Sequence, residues 1–363
     1  AAYTMTPATG VLHWMSANAQ RLGICVMQPE DEISVIGMAI GASFAGSRAM
    51  CATSGGGFAL MTEAIGLAAM TETPVVVINS QSAGPSTGVP TKTEQGDLWQ
   101  ALGAGQGDYP KAVIAPLSVE DCFYMTQHAL NLADRYQIPV ILLSDLLLSE
   151  HNETVDGLDA KKISIDRGSW AKLNGAKFKR YVDTDSGVSP RAKPGMEDYF
   201  VFTAASDEHA EDGHVISDVD TNPIERKKMM EKRMRKMESI VLEMPPNVLL
   251  GKPDADLTLI GWGSTYSLLA ALVEKAEASG LKINALAIRS IWPFLAQEVA
   301  QILTKAKKTL LIENNYTGQL ARLIRQETGF EFTHQCLKYD GEPFYVDSAW
   351  AVVRRVYEGK AKN

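Results

Sequence analysis

The sequence predicts an α/β fold: a doubly wound parallel sheet followed by a smaller second α/β domain. Two observations predict it. Over residues 1–150, short apolar runs bounded by glycine, proline and polar residues alternate with helical patterns, the rhythm of parallel strands joined by crossover helices. The same rhythm resumes near residue 255, after a charged stretch that breaks it.

In the first part, strands are predicted over 25–28, 50–54, 74–80, 112–115 and 139–144, and helices over 10–21, 30–46, 57–70, 94–102 and 119–136. Ser118-Val119-Glu120-Asp121 reads as a helix start: the serine accepts from a free first-turn N–H, and the acids face the positive end of the helix dipole. Residues 151–254 read as a charged connector whose long helical candidate is 222–242, carrying Arg226, Lys227, Lys228, Lys232, Arg233, Arg235 and Lys236. Such a helix admits a polyanion reading, for a nucleotide or coenzyme A phosphate; a solvated or interdomain face is the expectation adopted. From 255 onward, a strand over 257–262 leads through Gly261-Trp262-Gly263-Ser264 into a helix over 266–278, with further strands over 283–288 and 309–312 and a helix over 320–327. Gly261-x-Gly263 has too few glycines for a dinucleotide fingerprint.

Composition narrows the function classes. A chain of 363 residues, 45% hydrophobic, is long enough for two or three packed units. Its net charge of −8 argues against a general nucleic-acid binder or a ligand for anionic membranes, both of which need basic surfaces. No apolar run reaches the roughly 18 residues of a membrane span and no signal peptide is visible, so a soluble cytoplasmic protein is expected. Cys25, Cys51, Cys122 and Cys336 form no Cys-x-x-Cys pair; Cys25, Cys51 and Cys336 are expected as buried thiols, and any iron–sulfur cluster would belong to another chain. His209 and His214 are close enough to pair across a turn, but they lie in an acidic, loop-like stretch and no metal site is expected.

The segment with most chemistry is Gly84-Pro85-Ser86-Thr87-Gly88-Val89-Pro90-Thr91-Lys92-Thr93-Glu94-Gln95, which follows the apolar run 74–79. Open α/β sheets bind ligands at the carboxyl ends of their strands, where this loop would lie. Three other segments converge there. Tyr3-Thr4-Met5-Thr6-Pro7-Ala8-Thr9 presents the Thr6 hydroxyl at a helix N-terminus, Glu30-Asp31-Glu32 opens the second helix, and Ser54-Gly55-Gly56-Gly57 lets a ligand approach the backbone.

Together these segments resemble the α subunit of the 2-oxoacid:ferredoxin oxidoreductases, especially the 2-oxoglutarate:ferredoxin type (2-oxoglutarate synthase). Tyr3-Thr4-Met5-Thr6-Pro7 is similar to the family's Tyr-Pro-Ile-Thr-Pro. The match continues through Glu30-Asp31-Glu32 with Ala39-Ile40-Gly41-Ala42-Ser43, the 84–95 loop, Gly187-Val188-Ser189-Pro190-Arg191 and Lys232-Arg233. It ends in Ile291-Trp292-Pro293-Phe294, Glu313-Asn314-Asn315-Tyr316-Thr317-Gly318-Gln319 and Lys338-Tyr339-Asp340-Gly341, so it covers nearly the whole chain.

The resemblance implies a thiamine-diphosphate enzyme with a pyrimidine-binding domain over 1–150, the connector over 151–254 and a transketolase C-terminal-like domain over 255–363. In such enzymes a glutamate hydrogen-bonds the cofactor's aminopyrimidine and favours the imino tautomer that removes the C2 proton. By position that glutamate is Glu32, with Thr6 also at the reacting centre; the plainer reading of Glu32 is an acid in a helix's first turn. Gly55 and Gly56 would border the cofactor, and Thr6, Ser82, Thr91 and Lys92 the substrate. Lys92 would attract a second carboxylate, or is an exposed loop lysine. The implied reaction is oxidative decarboxylation of 2-oxoglutarate to succinyl-CoA, with coenzyme A as co-substrate and ferredoxin reduced, or its reverse.

The chain lacks the Gly-Asp-Gly segment that binds magnesium and diphosphate, and it lacks cluster cysteines. The resemblance therefore implies a β subunit holding Mg2+ and a 4Fe-4S cluster, in a heterotetramer. Where relatives read Gln-Arg-Gly-Gly-Pro-Ser-Thr, this chain has Gln81-Ser82-Ala83-Gly84-Pro85-Ser86-Thr87, so one hydroxyl replaces a bidentate cation. No helix precedes the Tyr3 segment, and the chain is expected to be part of a longer polypeptide whose amino-terminal portion carries the family's γ domain. Rival readings are the same chemistry on pyruvate, branched-chain 2-oxoacids or indolepyruvate, a lipoamide-dependent dehydrogenase, and a non-catalytic scaffold subunit, which Ser82 makes conceivable.

Overall fold

Apolar runs and amphipathic stripes assemble into two five-stranded sheets. In a computed structural model, the described residues are 1–172, 177–196, 204, 206–216 and 222–360, so parts of the connector and the last three residues lie outside them. The strands are β1 (Met50–Thr53), β2 (Val75–Gln81), β3 (Ala112–Ile114), β4 (Pro139–Asp145), β5 (Val248–Leu250), β6 (Leu257–Trp262), β7 (Ile283–Ile288), β8 (Ser290–Trp292), β9 (Thr309–Glu313) and β10 (Gln335–Leu337). The helices are α1 (Thr9–Leu22), α2 (Glu32–Phe44), α3 (Gly55–Met70), α4 (Leu98–Leu102), α5 (Val119–Tyr136), α6 (Leu146–Glu150), α7 (Pro223–Glu243), α8 (Thr265–Ala278), α9 (Ala296–Leu303), α10 (Gln319–Thr328) and α11 (Val346–Tyr357). No helix among the described residues is long and apolar enough to cross a membrane.

The first sheet has the order β1-β2-β4-β3-β8 and the second β10-β9-β6-β7-β5. Each is parallel except for one antiparallel edge strand, β8 against β3 and β5 against β7. Strands β4, β6, β7 and β9 are buried along their whole length, as strands covered by helices on both faces must be. Since β8 comes from the sequence that builds the second sheet, the two halves are interleaved. One apolar core joins them: Phe58, Met61, Val77 and Ile141 share it with Ile260, Trp262, Leu311 and Leu323.

Several expected elements differ. Residues 25–28 form no strand; Ala2 bridges Ala52 of β1 in parallel, and its N–H donates to the Met27 carbonyl, so residues 1–3 occupy the sheet edge beside β1. The expected helix over 94–102 shrinks to α4, because the preceding residues extend to meet the second sheet. Cys51 is buried as expected, whereas Cys25 is exposed, since its segment lies outside the ladder, and Cys336 is half-buried on the edge strand β10.

The basic helix α7 is not simply solvated. Lys232 Nζ lies 2.5 Å from Glu72 Oε1 and Lys236 Nζ 2.7 Å from Glu72 Oε2, all three side chains fully buried. Arg233 makes a two-pronged contact with Glu208, at 2.9 and 2.8 Å. The two lysines bind α7 to Glu72, just past the end of α3, and Arg233 binds it to the connector. His209 and His214 lie on the two arms of one turn, the Ala210 N–H donating to the His214 carbonyl at 3.0 Å, but their rings have separate partners: His209 stacks on Tyr181 with Nε2 3.1 Å from the Met70 carbonyl, and His214 Nδ1 faces Asp212 at 2.6 Å.

Candidate functional site

Glu32 is the first residue of α2. Asp31 caps that helix, its Oδ1 accepting from the Ser34 N–H at 2.8 Å. Glu32 turns inward and is only 4% exposed, yet its Oε1 has no hydrogen-bond partner. Leaving a buried carboxylate oxygen unpaired is costly, so this atom calls for a partner, which a bound ligand or a water would supply.

The glycines around it have separate duties. Rather than forming a turn ahead of a helix that begins at Gly57, Gly55-Gly56-Gly57 is the first turn of α3, with Ser54 at its N-cap. A β carbon on Gly57 would lie 2.1 Å from Thr53 Oγ1 and 2.5 Å from Glu32 Oε1, so only glycine leaves room for that carboxylate. One on Gly55 would meet Asp97 Oδ2 at 2.6 Å, whereas Gly56 faces open space. Of the two glycines expected to border a cofactor, Gly56 is thus the open one and Gly55 is covered by Asp97. Burial pushes the Asp97 carboxyl up to about 6, against the Asn79 Nδ2 hydrogen bond at 3.2 Å.

The hydroxyl-rich loop closes on itself. Ala83 N–H donates to the Lys92 carbonyl at 3.0 Å and Val89 N–H to the Ala83 carbonyl at 2.8 Å. Gly88 has φ +48°, and a β carbon there would collide with the Ala83 carbonyl at 2.1 Å. This closure brings Thr91 and Lys92 beside Ser82. Ser82 Oγ in turn lies 3.1 Å from Ser54 Oγ at the start of α3. Glu32, Gly55, Gly56, Ser82, Thr91 and Lys92 therefore belong to one contiguous edge.

Thr6 sits at the same edge, since residues 1–3 run parallel to β1 and leave at its carboxyl end. It is exposed and lies just before α1, which begins at Thr9 with Ala8 as its cap, so its hydroxyl stands near a helix N-terminus without capping it. Lys92 does not wait free in a loop either. Its ammonium is hydrogen-bonded to the Glu342 carboxylate, which raises its pKa.

Beyond Lys92 the chain crosses to the second sheet. Gln95 N–H donates to the Asn314 carbonyl at 2.7 Å, Gln95 Nε2 to the Trp262 carbonyl at 2.8 Å, and Asn315 Nδ2 to the Gln95 carbonyl at 2.9 Å. Glu313, at the end of β9, accepts from Trp262 Nε1 at 3.0 Å and from Leu320 N–H at 2.8 Å; burial pushes it up to about 7. The edges of both sheets thus meet along residues 93–99. Sequence reasoning missed Asp97 and Glu342, and quoted Glu313 within a family motif without giving it a role. Asp97 had one usable signal, an acid directly after Glu94-Gln95-Gly96; Glu342, some 250 residues from Lys92, had none.

Two family models match the chain: the thiamine-diphosphate-binding region of pyruvate flavodoxin/ferredoxin oxidoreductase over residues 1–231, and core domain II of pyruvate:ferredoxin oxidoreductase over residues 255–346. The chain belongs to the family of 2-oxoacid:ferredoxin oxidoreductase alpha subunits. It is 36% identical to subunit alpha of 2-oxoacid:ferredoxin oxidoreductase 1 from Sulfurisphaera tokodaii, over 93% of this chain and 53% of that one. It is 32% identical to the 2-oxoglutarate synthase subunit KorA of Methanothermobacter thermautotrophicus, over 94% of this chain and 89% of that one. The chain therefore spans about half the length of the first relative and most of the second. A 2-oxoglutarate:ferredoxin oxidoreductase from Magnetococcus marinus, solved with 2-oxoglutarate, coenzyme A and succinyl-CoA bound, superposes with a TM-score of 0.92 at 35% identity. That superposition covers 98% of this chain and 61% of the other.

Proposed function

We propose that the chain is the alpha subunit, or part of it, of an enzyme that converts 2-oxoglutarate, coenzyme A and oxidised ferredoxin to succinyl-CoA, carbon dioxide and reduced ferredoxin, or runs the reverse. The observation that carries this reading is Glu32: a buried carboxylate with an unpaired oxygen, fitted against a glycine on the sheet edge that bears the hydroxyl-rich loop. Those residues fit thiamine diphosphate, whose aminopyrimidine ring nitrogen would be the hydrogen-bond partner that the orphan Glu32 oxygen lacks, one proton being shared between them. When bound, that cofactor supplies a carbon nucleophile and an electron sink for cleaving the bond between keto and carboxyl carbons.

Glu32 holds and returns a proton at its carboxylate, sheltered from water by Thr53 and Gly57. The open backbone at Gly56 borders the ring, with Gly55 behind it. Thr6, Ser82 and Thr91 donate hydroxyl hydrogen bonds to the substrate's carboxylate and keto oxygen, and Lys92 faces its distal carboxylate. In this reading residues 1–150 are the pyrimidine-binding domain, 151–254 a connector and 255–363 the transketolase C-terminal-like domain. A β subunit supplies Mg2+, the diphosphate site and the 4Fe-4S cluster that passes electrons to ferredoxin, in a heterotetramer.

In the assembled enzyme, Glu32→Gln is expected to slow deuterium exchange at the cofactor's C2 position by about 10²-fold, the scale of a lost acid–base group. The amide keeps a hydrogen-bonding atom in place but takes up no proton. Exchange at the wild-type rate would remove Glu32 from the mechanism.

A further inference from the structure

The Lys92 ammonium already has a carboxylate, and that carboxylate is built into the second half of the chain. Glu342 follows Lys338-Tyr339-Asp340-Gly341, a turn anchored where Lys338 N–H donates to the Glu313 carbonyl at 3.1 Å. The turn holds itself: Asp340 Oδ1 accepts from the Glu342 N–H at 3.1 Å, and Lys338 pairs with Asp340. Gly341, with φ +78°, presses on the lysine stem; a β carbon there would come within 3.0 Å of Lys92 Cβ and 3.3 Å of Cγ. The turn is thus shaped to receive Lys92 and to present Glu342 to it.

We infer that Glu342 is a specificity-determining residue: its carboxylate stands in for the distal carboxylate of a dicarboxylic 2-oxoacid, which must displace it to reach Lys92. This rests on the proposed contact between Lys92 and the substrate. Exchange is feasible because the pair is a weak one, its side chains 44% and 42% exposed, so water reaches both charges. A monocarboxylic 2-oxoacid brings no second charge, leaves the pair closed and gains nothing from Lys92. A dicarboxylic one replaces one carboxylate with another, so the pair lowers the apparent affinity for the very substrate that Lys92 favours.

The test is steady-state kinetics of the assembled enzyme with 2-oxoglutarate and with pyruvate, alongside competitive inhibition by glutarate, which has both carboxylates and no keto group. Glu342→Gln keeps the turn's shape and frees Lys92. It is expected to lower KM for 2-oxoglutarate and the inhibition constant for glutarate by about two- to fivefold, the scale of an exposed ion pair, with kcat and the pyruvate KM unchanged. Lys92→Met is expected to raise both dicarboxylate constants and leave pyruvate alone. If Lys92→Met has that effect while Glu342→Gln leaves the dicarboxylate constants unchanged or raises them, the stand-in role is overturned and the substrate contact survives. If Lys92→Met affects both substrates equally or neither, the contact itself fails, and the inference with it.

Discussion

At Asp97 burial and hydrogen bonding pull in opposite directions, and burial wins: the carboxyl sits against Gly55 and titrates near 6 in spite of Asn79. An unfolded aspartate loses its proton near 4, so between about pH 4 and pH 6 the folded chain keeps a proton that the unfolded chain has released. Stability therefore falls as pH rises through this window, and the cost is fully present above it. Asp97→Asn is expected to stabilise the chain by roughly 1–3 kcal/mol at pH 7.5 and by little at pH 4, read from denaturant midpoints at the two values. Equal effects at both pH values would mean that the charge is not what matters. Glu32 and Asp97 differ in how far sequence reveals them. Glu32 opens a helix beside an acidic cap and was legible, whereas the environment of Asp97 is made by Gly55 and Asn79, residues distant in sequence that only the fold brings together.

At the scale of elements, α7 is the clearest case of a pattern whose meaning depends on the partner. Its cations read as a solvated or interdomain face, and a sequence does not say which of them meets a buried acid. Burial alone would push Glu72 up, but Lys232, Lys236 and Arg180 outweigh it and hold the carboxyl well below its ordinary range. Glu72→Gln would leave two buried ammonium groups facing a neutral amide and is expected to cost about 3–5 kcal/mol. Lys227→Ala, on the exposed side of the same helix, is expected to change stability by less than about 0.5 kcal/mol. Urea midpoints of the two variants decide this, and equal midpoints would contradict the buried role.

The strands divide on similar grounds. Strands β2, β4, β6, β7 and β9 are apolar runs of five to seven residues and are readable as such. Strands β5, β8 and β10 have three residues each, none of them buried throughout, and were not foreseen; β3, equally short but buried along its length, was. Helix α11 was missed although its buried Ala349, Val353 and Val356 stand at helical spacing, a signal that was available.

For the whole molecule, the arrangement that matters is the meeting of two sheet edges along residues 93–99, with buried Glu32 in the first half of the chain and the Glu342 turn in the second. The sequence motifs that carry the family resemblance lie on both sides of that junction: Gln95 from the first half bonds Asn314 and Asn315 from the second. Their order along the chain was legible; their docking was not, because it depends on β8 crossing into the first sheet and on a core shared by both halves. Under the function proposed above, this junction, joined to a β subunit, turns over 2-oxoglutarate. The most direct measurement is reduction of ferredoxin or a redox dye by the chain assembled with its partner, thiamine diphosphate and Mg2+. The expected result is reduction that requires both 2-oxoglutarate and coenzyme A and falls at least about 10²-fold with Glu32→Gln. Reduction that proceeds without this chain, or at an undiminished rate with Glu32→Gln, would contradict the account.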